Sequence, residues 1–223
     1  MNHAVLVVAA HPDDEVLGMG GTIARHVDGG DRVTVIWVTD GSSHQYREHP
    51  EILKRKYAEG VAALELLGVH DCIKAGLPDM RLDMVEHVAV NAVIEEAIAA
   101  TRADIVYAPL PDLNRDHRAV FESTAVAARP IPGASVRRFL AYPVPSSAEG
   151  ASPGTIGLNQ GWFTDITSTL ERKIKAFAEH RTETRDWPHP RSTRSIRAQA
   201  EAYGSTIGVA AAEVFALIRA LEG

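Results

Sequence analysis

The chain has 223 residues, 45% apolar and 23% charged, which is the make-up of an ordinary soluble globular domain. A net charge of −6 argues against nucleic acid as a partner, because phosphate binding wants a basic surface. A single cysteine, Cys72, excludes an internal disulfide. No apolar run reaches membrane-spanning length and Met1-Asn2-His3 lacks the basic start of a signal peptide, so the expectation is a cytoplasmic protein with no membrane partner.

In chain order, Val5 to Ala9 reads as a buried parallel strand, stopped by His11-Pro12-Asp13-Asp14-Glu15. Those residues then stand at the strand's carboxyl end, where open α/β sheets place their ligands. A capping role would account for one acid near a helix start, but not for a histidine and three consecutive acids. Gly18-Met19-Gly20-Gly21 leads into a helix over Thr22 to Val27, ended by Gly29-Gly30. These glycines do not form the dinucleotide fingerprint, and they follow acids that would repel a phosphate. Arg32 to Val38 is the second strand, and Ser42 to Pro50 a polar loop over the carboxyl edge. Leu53, Tyr57, Gly60, Val61, Leu64 and Leu67 lie on one face of a helix ending near Gly68.

Asp71 to Ala75 is a short third strand, and the spacing from Val85 to Val93 predicts a helix running to about Thr101. Ile105 to Ala108 is the fourth strand, followed by a loop and a helix from Asp116 to Ala128. Asp112, Asn114, Asp116 and His117 therefore gather past a second strand end. In strand order 3-2-1-4-5, strands 1 and 4 are neighbours at the switch point, so His117 can meet His11 and Asp14. Two imidazoles and a carboxylate, with a position open for water, make a catalytic rather than a closed zinc site. Val136 to Tyr142 is a fifth strand, Pro143 to Trp162 is irregular, and Leu170 to Ala178 is helical. Arg181 to Arg197 is an arginine-rich stretch whose Trp187-Pro188-His189-Pro190 centre makes a stiff loop. It reads either as a solvated basic loop or as a lid over the metal site, with Trp187 offering a ring face to a ligand and the arginines taking an anionic group. Ile196 to Leu221 is divided between helix and an added edge strand.

The pair of motifs, Ala10-His11-Pro12-Asp13-Asp14-Glu15 and Asp116-His117-Arg118, resembles the LmbE-like (PIG-L) zinc-dependent deacetylases of N-acetylglucosamine-type sugars. The likeness continues through Lys56-x-x-Glu59, Phe163-Thr164-Asp165-Ile166 and Ala212-Glu213-Val214-Phe215, over nearly the whole chain. It implies a single α/β domain over residues 1–223, Rossmann-like, with an open, mostly parallel sheet and helices on both faces. Residues 1–142 would form the doubly wound core and 143–223 the substrate loops and closing elements. It also implies one divalent cation, Zn2+, on His11, Asp14 and His117, with Asp13 as general base and Asp116 supporting the site. A carboxylate can take a proton from water whose pKa a bound cation has brought down to about 7.

The chain departs from the family where many relatives read His-x-Asp-His: here the first position is Asn114. Asparagine can donate a hydrogen bond to an oxyanion but delivers no proton to a leaving amine. Either Asp13 performs both proton transfers or another histidine serves, and His189 is the candidate, with His44 and His49 as competitors. Arg47, Lys56, Asn114 and Arg191 are the candidate substrate contacts. The expected partner is a small N-acetylated sugar or glycoconjugate, and a homo-oligomer is compatible with this reading. A metal-dependent phosphatase or nucleotide-binding protein using magnesium is disfavoured by the two histidines. A non-catalytic sugar- or metal-binding module is the other alternative.

Overall fold

The buried strand β1 (Ala4–Ala9) is the centre of the sheet, because its six residues are apolar on both faces. In this computed structural model, which describes residues 2–41, 49–150 and 160–222, β1 pairs in parallel with β2 (Arg32–Thr39) and β4 (Ile105–Pro109). With β3 (Asp71–Leu77), β5 (Arg138–Tyr142), β6 (Gln160–Asp165) and β7 (Ala212–Ala220) the order is β3-β2-β1-β4-β5-β7-β6. Only β7 runs against its neighbours β5 and β6. The expected α/β architecture, a mostly parallel open sheet, is therefore present in a single domain.

Alternation along β1 divides the core in two. Val5, Val7 and Ala9 face α1 (Asp14–Asp28), α2 (Pro50–Leu67) and α5 (Leu170–Glu179), packing with Ile23, Leu64 and Phe177. Leu6, Val8 and Ala10 face α3 (His87–Thr101) and α4 (Arg115–Ala127), packing with Ile94 and Val120. Among the described residues no helix is long and apolar enough to cross a membrane.

Several boundaries differ from expectation, each for a local reason. The first helix begins at Asp14 rather than Thr22, and Met19 breaks it with non-helical angles. The second half restarts at Gly20-Gly21, where the Gly21 and Thr22 amides donate to the Glu213 carboxylate at 3.0 and 2.7 Å. Lys173 in turn lies 2.5 Å from Glu213, and both side chains are buried. Gly18 and Gly21 permit this close approach: a Cβ at Gly18 would lie 2.3 Å from the Tyr142 ring, and one at Gly21 2.8 Å from Ile166. The third strand runs on to Leu77. The stretch expected to be irregular as far as Trp162 contains β6 from Gln160, a strand that needs β7 as a partner. The closing segment is both helix and strand. α6 (Thr193–Ile207) stops at Gly208, which takes a φ of 79°, and β7 follows. β7 is not an edge strand, since β6 covers its far side.

Candidate active site

β1 and β4 are adjacent and parallel, so the turns after them face one another. The His11 amide donates to Asp14 Oδ2 at 2.8 Å, which closes the first turn and presents both side chains on one side. His11 Nδ1 lies 3.3 Å from the same Asp14 oxygen, and His117 Nε2 lies 3.3 Å from Asp14 Oδ1. The two imidazole rings are 5.3 Å apart. One donor atom from each of His11, Asp14 and His117 falls within a mutual 4.8 Å, all three residues being buried.

Each histidine is aimed by carboxylates behind it. His117 Nδ1 donates to Asp112 Oδ2 at 2.8 Å, which turns Nε2 towards Asp14. His11 Nε2 faces Asp79 Oδ1 at 3.0 Å and Asp116 Oδ2 at 3.3 Å, leaving Nδ1 on the Asp14 side. Such carboxylate–histidine pairs fix the tautomer and ring orientation that a metal ligand needs. Asp14 Oδ1 and His117 Nε2 face each other at 3.3 Å, and among the described residues neither buried atom has a further hydrogen-bond partner. A cation held between them would satisfy both lone pairs. Two nitrogens and a carboxylate oxygen are also the donor set that zinc takes in catalytic sites.

The electrostatics point the same way. Burial works to lower the His117 imidazole, but Asp14 and Asp112 overturn it and carry the group up to about 9. His11 behaves likewise: burial is outweighed by Asp14, Asp116 and Asp79, which hold it well above its usual range. Burial would raise the Asp14 carboxyl, yet His117 and His11 hold it well below the usual carboxylate range. The cluster is a field that demands positive charge. Glu15 is different, since burial pushes it up to about 8 and its Oε1 accepts the Trp37 indole N–H at 3.1 Å, away from the ligand atoms.

Asp13 lines a neighbouring cavity of about 100 Å³ with His11, Lys56, Asp79, Asn114 and Arg191, among others. Arg191 Nη1 lies 3.2 Å from Asp13 Oδ2 and 2.8 Å from Glu183 Oε2, and its Nε donates to Ser146 Oγ at 2.9 Å. Lys56 Nζ lies 3.0 Å from Glu183 Oε1. Glu59, one helical turn beyond Lys56, accepts the Thr182 amide at 3.0 Å and its hydroxyl at 2.7 Å. Thus α2 holds the loop after α5 against the cavity.

Of the remaining expected residues, Asn114 lines the cavity but also caps α4, its Oδ1 accepting the Asp116 amide at 2.9 Å. Its Nδ2 faces Met80 Sδ at 3.7 Å. Asp116 accepts the Met80 and Leu82 amides at 2.6 and 3.0 Å, so it anchors that segment as well as His11. His189 is not brought to the cavity. Its ring is exposed and Nδ1 accepts the Arg191 amide at 3.0 Å, so the arginine-rich loop delivers Arg191 instead. Trp187 is 52% exposed, with the Arg194 guanidinium 4.4 Å from its ring centre. His49 is exposed beside Glu51. His44 and Arg47 lie outside the described residues.

Residues 6–128, more than half of the chain, match the PIG-L family described as GlcNAc-PI de-N-acetylase. The chain belongs to the PIG-L family. An uncharacterized deacetylase of Escherichia coli, YaiS, is 29% identical over 176 residues, which is 75% of this chain and 89% of YaiS. Diacetylchitobiose deacetylase of Thermococcus kodakarensis is 28% identical over 193 residues, 80% of this chain and 69% of that protein. Among solved structures, N,N'-diacetylchitobiose deacetylase from Pyrococcus horikoshii superposes with a TM-score of 0.76 at 25% identity, over 96% of this chain and 83% of that one.

Two residues of this PIG-L site carried no sequence signal strong enough to assign them. Asp79 follows β3 at the same carboxyl edge, a position that becomes telling only once β3 is seen to extend to Leu77. Glu183 sits in a loop, where no periodicity points at a cavity. Asp112 was visible as one of the acids before His117, without a role.

Proposed function

We propose that this protein is a metal-dependent hydrolase that removes the acetyl group from an N-acetylated sugar of the N-acetylglucosamine type. The observation that carries the reading is the convergence of His11, Asp14 and His117, with two of their buried donor atoms otherwise unsatisfied. These three residues would hold the ion, and zinc suits the donor set. When bound, such an ion lowers the pKa of water and polarises a carbonyl. The relatives support the substrate class, since they include a diacetylchitobiose deacetylase and 1D-myo-inositol 2-acetamido-2-deoxy-alpha-D-glucopyranoside deacetylases.

The chain's own groups supply the rest. Asp13 takes the proton of the attacking water as oxygen adds to the acetyl carbonyl. It then returns that proton to the sugar nitrogen as the C–N bond breaks, releasing acetate and the free amine. Asn114 Nδ2, at the cavity wall, stabilises the charge that develops on the carbonyl oxygen. Asp112 and Asp116 keep His117 and His11 oriented, and Arg191 fixes the Asp13 carboxylate through the contact at 3.2 Å.

Acetate release from a panel of N-acetylated sugars tests this, using native, chelator-stripped and zinc-restored protein. Activity that disappears on stripping and returns with zinc is expected, along with lost metal content in His117→Ala. Full metal occupancy of His117→Ala would overturn the ligand assignment, and undiminished release by stripped protein would overturn the reaction class.

A further inference from the structure

Among the described residues, the two cations that line the cavity, Lys56 and Arg191, are already committed to carboxylates. Glu183 lies between them, with Oε1 3.0 Å from Lys56 Nζ and Oε2 2.8 Å from Arg191 Nη1. It is only 4% exposed and Lys56 is 6% exposed, so that pair is desolvated, while the Arg191 side chain is half-buried. The second contact of Arg191 is Asp13, so its charge is divided between two acids. Asp79 also lines the cavity, and behind it stand Asp14, Asp112 and Asp116, all buried. A divalent ion on His11, Asp14 and His117 offsets only part of that negative charge. A neutral sugar would meet the lining groups as hydrogen-bond donors and acceptors. A phosphate or carboxylate would meet cations whose attraction is spent and acids that repel it.

Building on the deacetylase reading, we propose that Glu183 makes this a site for uncharged N-acetylated sugars and rejects those with an anionic group beside the reacting residue. Glu183 acts through Lys56 and Arg191, so it is a specificity-determining residue and not a catalytic one. Without it, Lys56 and Arg191 would face the cavity with Asp13 as the carboxylate left on Arg191 among the described residues.

The test compares N-acetylglucosamine with N-acetylglucosamine 6-phosphate on zinc-loaded protein, by direct binding titration and by acetate release. The parent is expected to favour the neutral sugar at least tenfold in both measurements. Glu183→Gln, which keeps the shape and removes the charge, should narrow that ratio by about tenfold, the effect of one charge a few ångströms away in a partly solvated site. Raising the salt from 50 to 500 mM should narrow the ratio in the parent itself, because screening weakens repulsion. That measurement stands even if the variant folds poorly. A parent that binds the phosphate as well as the neutral sugar would overturn the proposal, as would a salt-independent ratio or an unchanged one in folded Glu183→Gln. Binding with the expected ratio but no acetate release sinks the deacetylase reading alone. Release of acetate with no discrimination sinks only the role of Glu183, and binding of neither sugar sinks both.

Discussion

Replacing Asp112 with asparagine is the sharpest probe of how the histidines are prepared for a metal. Asp112 is fully buried and uses both oxygens: Oδ2 accepts from His117 Nδ1 at 2.8 Å and Oδ1 from the Asn114 amide at 2.8 Å. An asparagine offers one oxygen and one NH2, so one of the two donors must face another donor. If the amide group meets His117, the imidazole relieves the conflict only by moving its proton from Nδ1 to Nε2. That is the atom facing Asp14 Oδ1 at 3.3 Å, and protonation there abolishes its ligand lone pair. If instead the NH2 meets the Asn114 amide, the turn that carries His117 is displaced. Either outcome costs about 1–3 kcal/mol, the penalty for an unsatisfied buried group. A metal affinity lower by roughly 10–100-fold follows, which matches the usual effect of losing such an outer partner. Competition titration of zinc against a chromophoric chelator measures it directly, with melting of the metal-free proteins separating affinity from stability. An affinity within threefold of the parent would refute the tautomer argument.

Asp13→Asn should retain its metal by elemental analysis while kcat falls by about 10²–10⁴; turnover within a few fold of the parent would make Asp13 structural. Glu213→Ala should cost about 3–5 kcal/mol, because it strands the buried Lys173 ammonium and uncaps the second half of α1. At about 2–4 °C per kcal/mol, the melting temperature drops by roughly 6–20 °C. Pairing Lys173→Met with Glu213→Leu should recover the part due to the stranded ammonium but not the part due to the uncapped Gly21 and Thr22 amides, whereas strictly additive effects would show that the pair is not coupled. Burial pushes the Cys72 thiol up to about 12, so native protein at pH 8 should react with iodoacetamide about a thousandfold more slowly than a free thiol. Rapid labelling of the folded chain would contradict that environment.

What could be read in the sequence was what depends on local pattern. The strand–helix alternation from β1 to β5 implies a parallel sheet, and the common order 3-2-1-4-5 for such sheets, which the structure has, brings His11, Asp14 and His117 together. What could not be read depends on pairing across the chain. α1 starts eight residues before the point its glycines suggest, because its break at Met19 is capped by Glu213 from the last strand. β6 needs β7, whose sequence mixes helix-forming alanines with strand formers. The loop after α5 shows why a motif does not give a direction. Two prolines stiffen Trp187 to Pro190, but the side chain turned inward is Arg191, whose long guanidinium reaches both Glu183 and Asp13, while His189 stays exposed.

That outcome bears on how the proposed deacetylation would close without a histidine at position 114. Asn114 serves a different need: its Oδ1 satisfies the Asp116 amide at the start of α4, a task for which asparagine is among the best residues. The same residue leaves its NH2 at the cavity, where it can donate to oxygen but release no proton. His189 faces solvent, and His180 ends α5 buried, with burial keeping its imidazole low. On the proposed reading, Asp13, which lines the cavity beside His11, is the group that carries a proton from water to nitrogen. Arg191 at 3.2 Å makes that economical, because it holds the carboxylate in one orientation for both transfers. Neutralising Arg191 should then lower kcat more than it raises KM, since the arginine acts on the base and not on the sugar. The comparison is Arg191→Met with Arg191→Lys, which keeps the charge but loses the planar fork. Partial recovery of kcat in Arg191→Lys is expected. A change confined to KM in both variants would move Arg191 from holding Asp13 to binding the substrate.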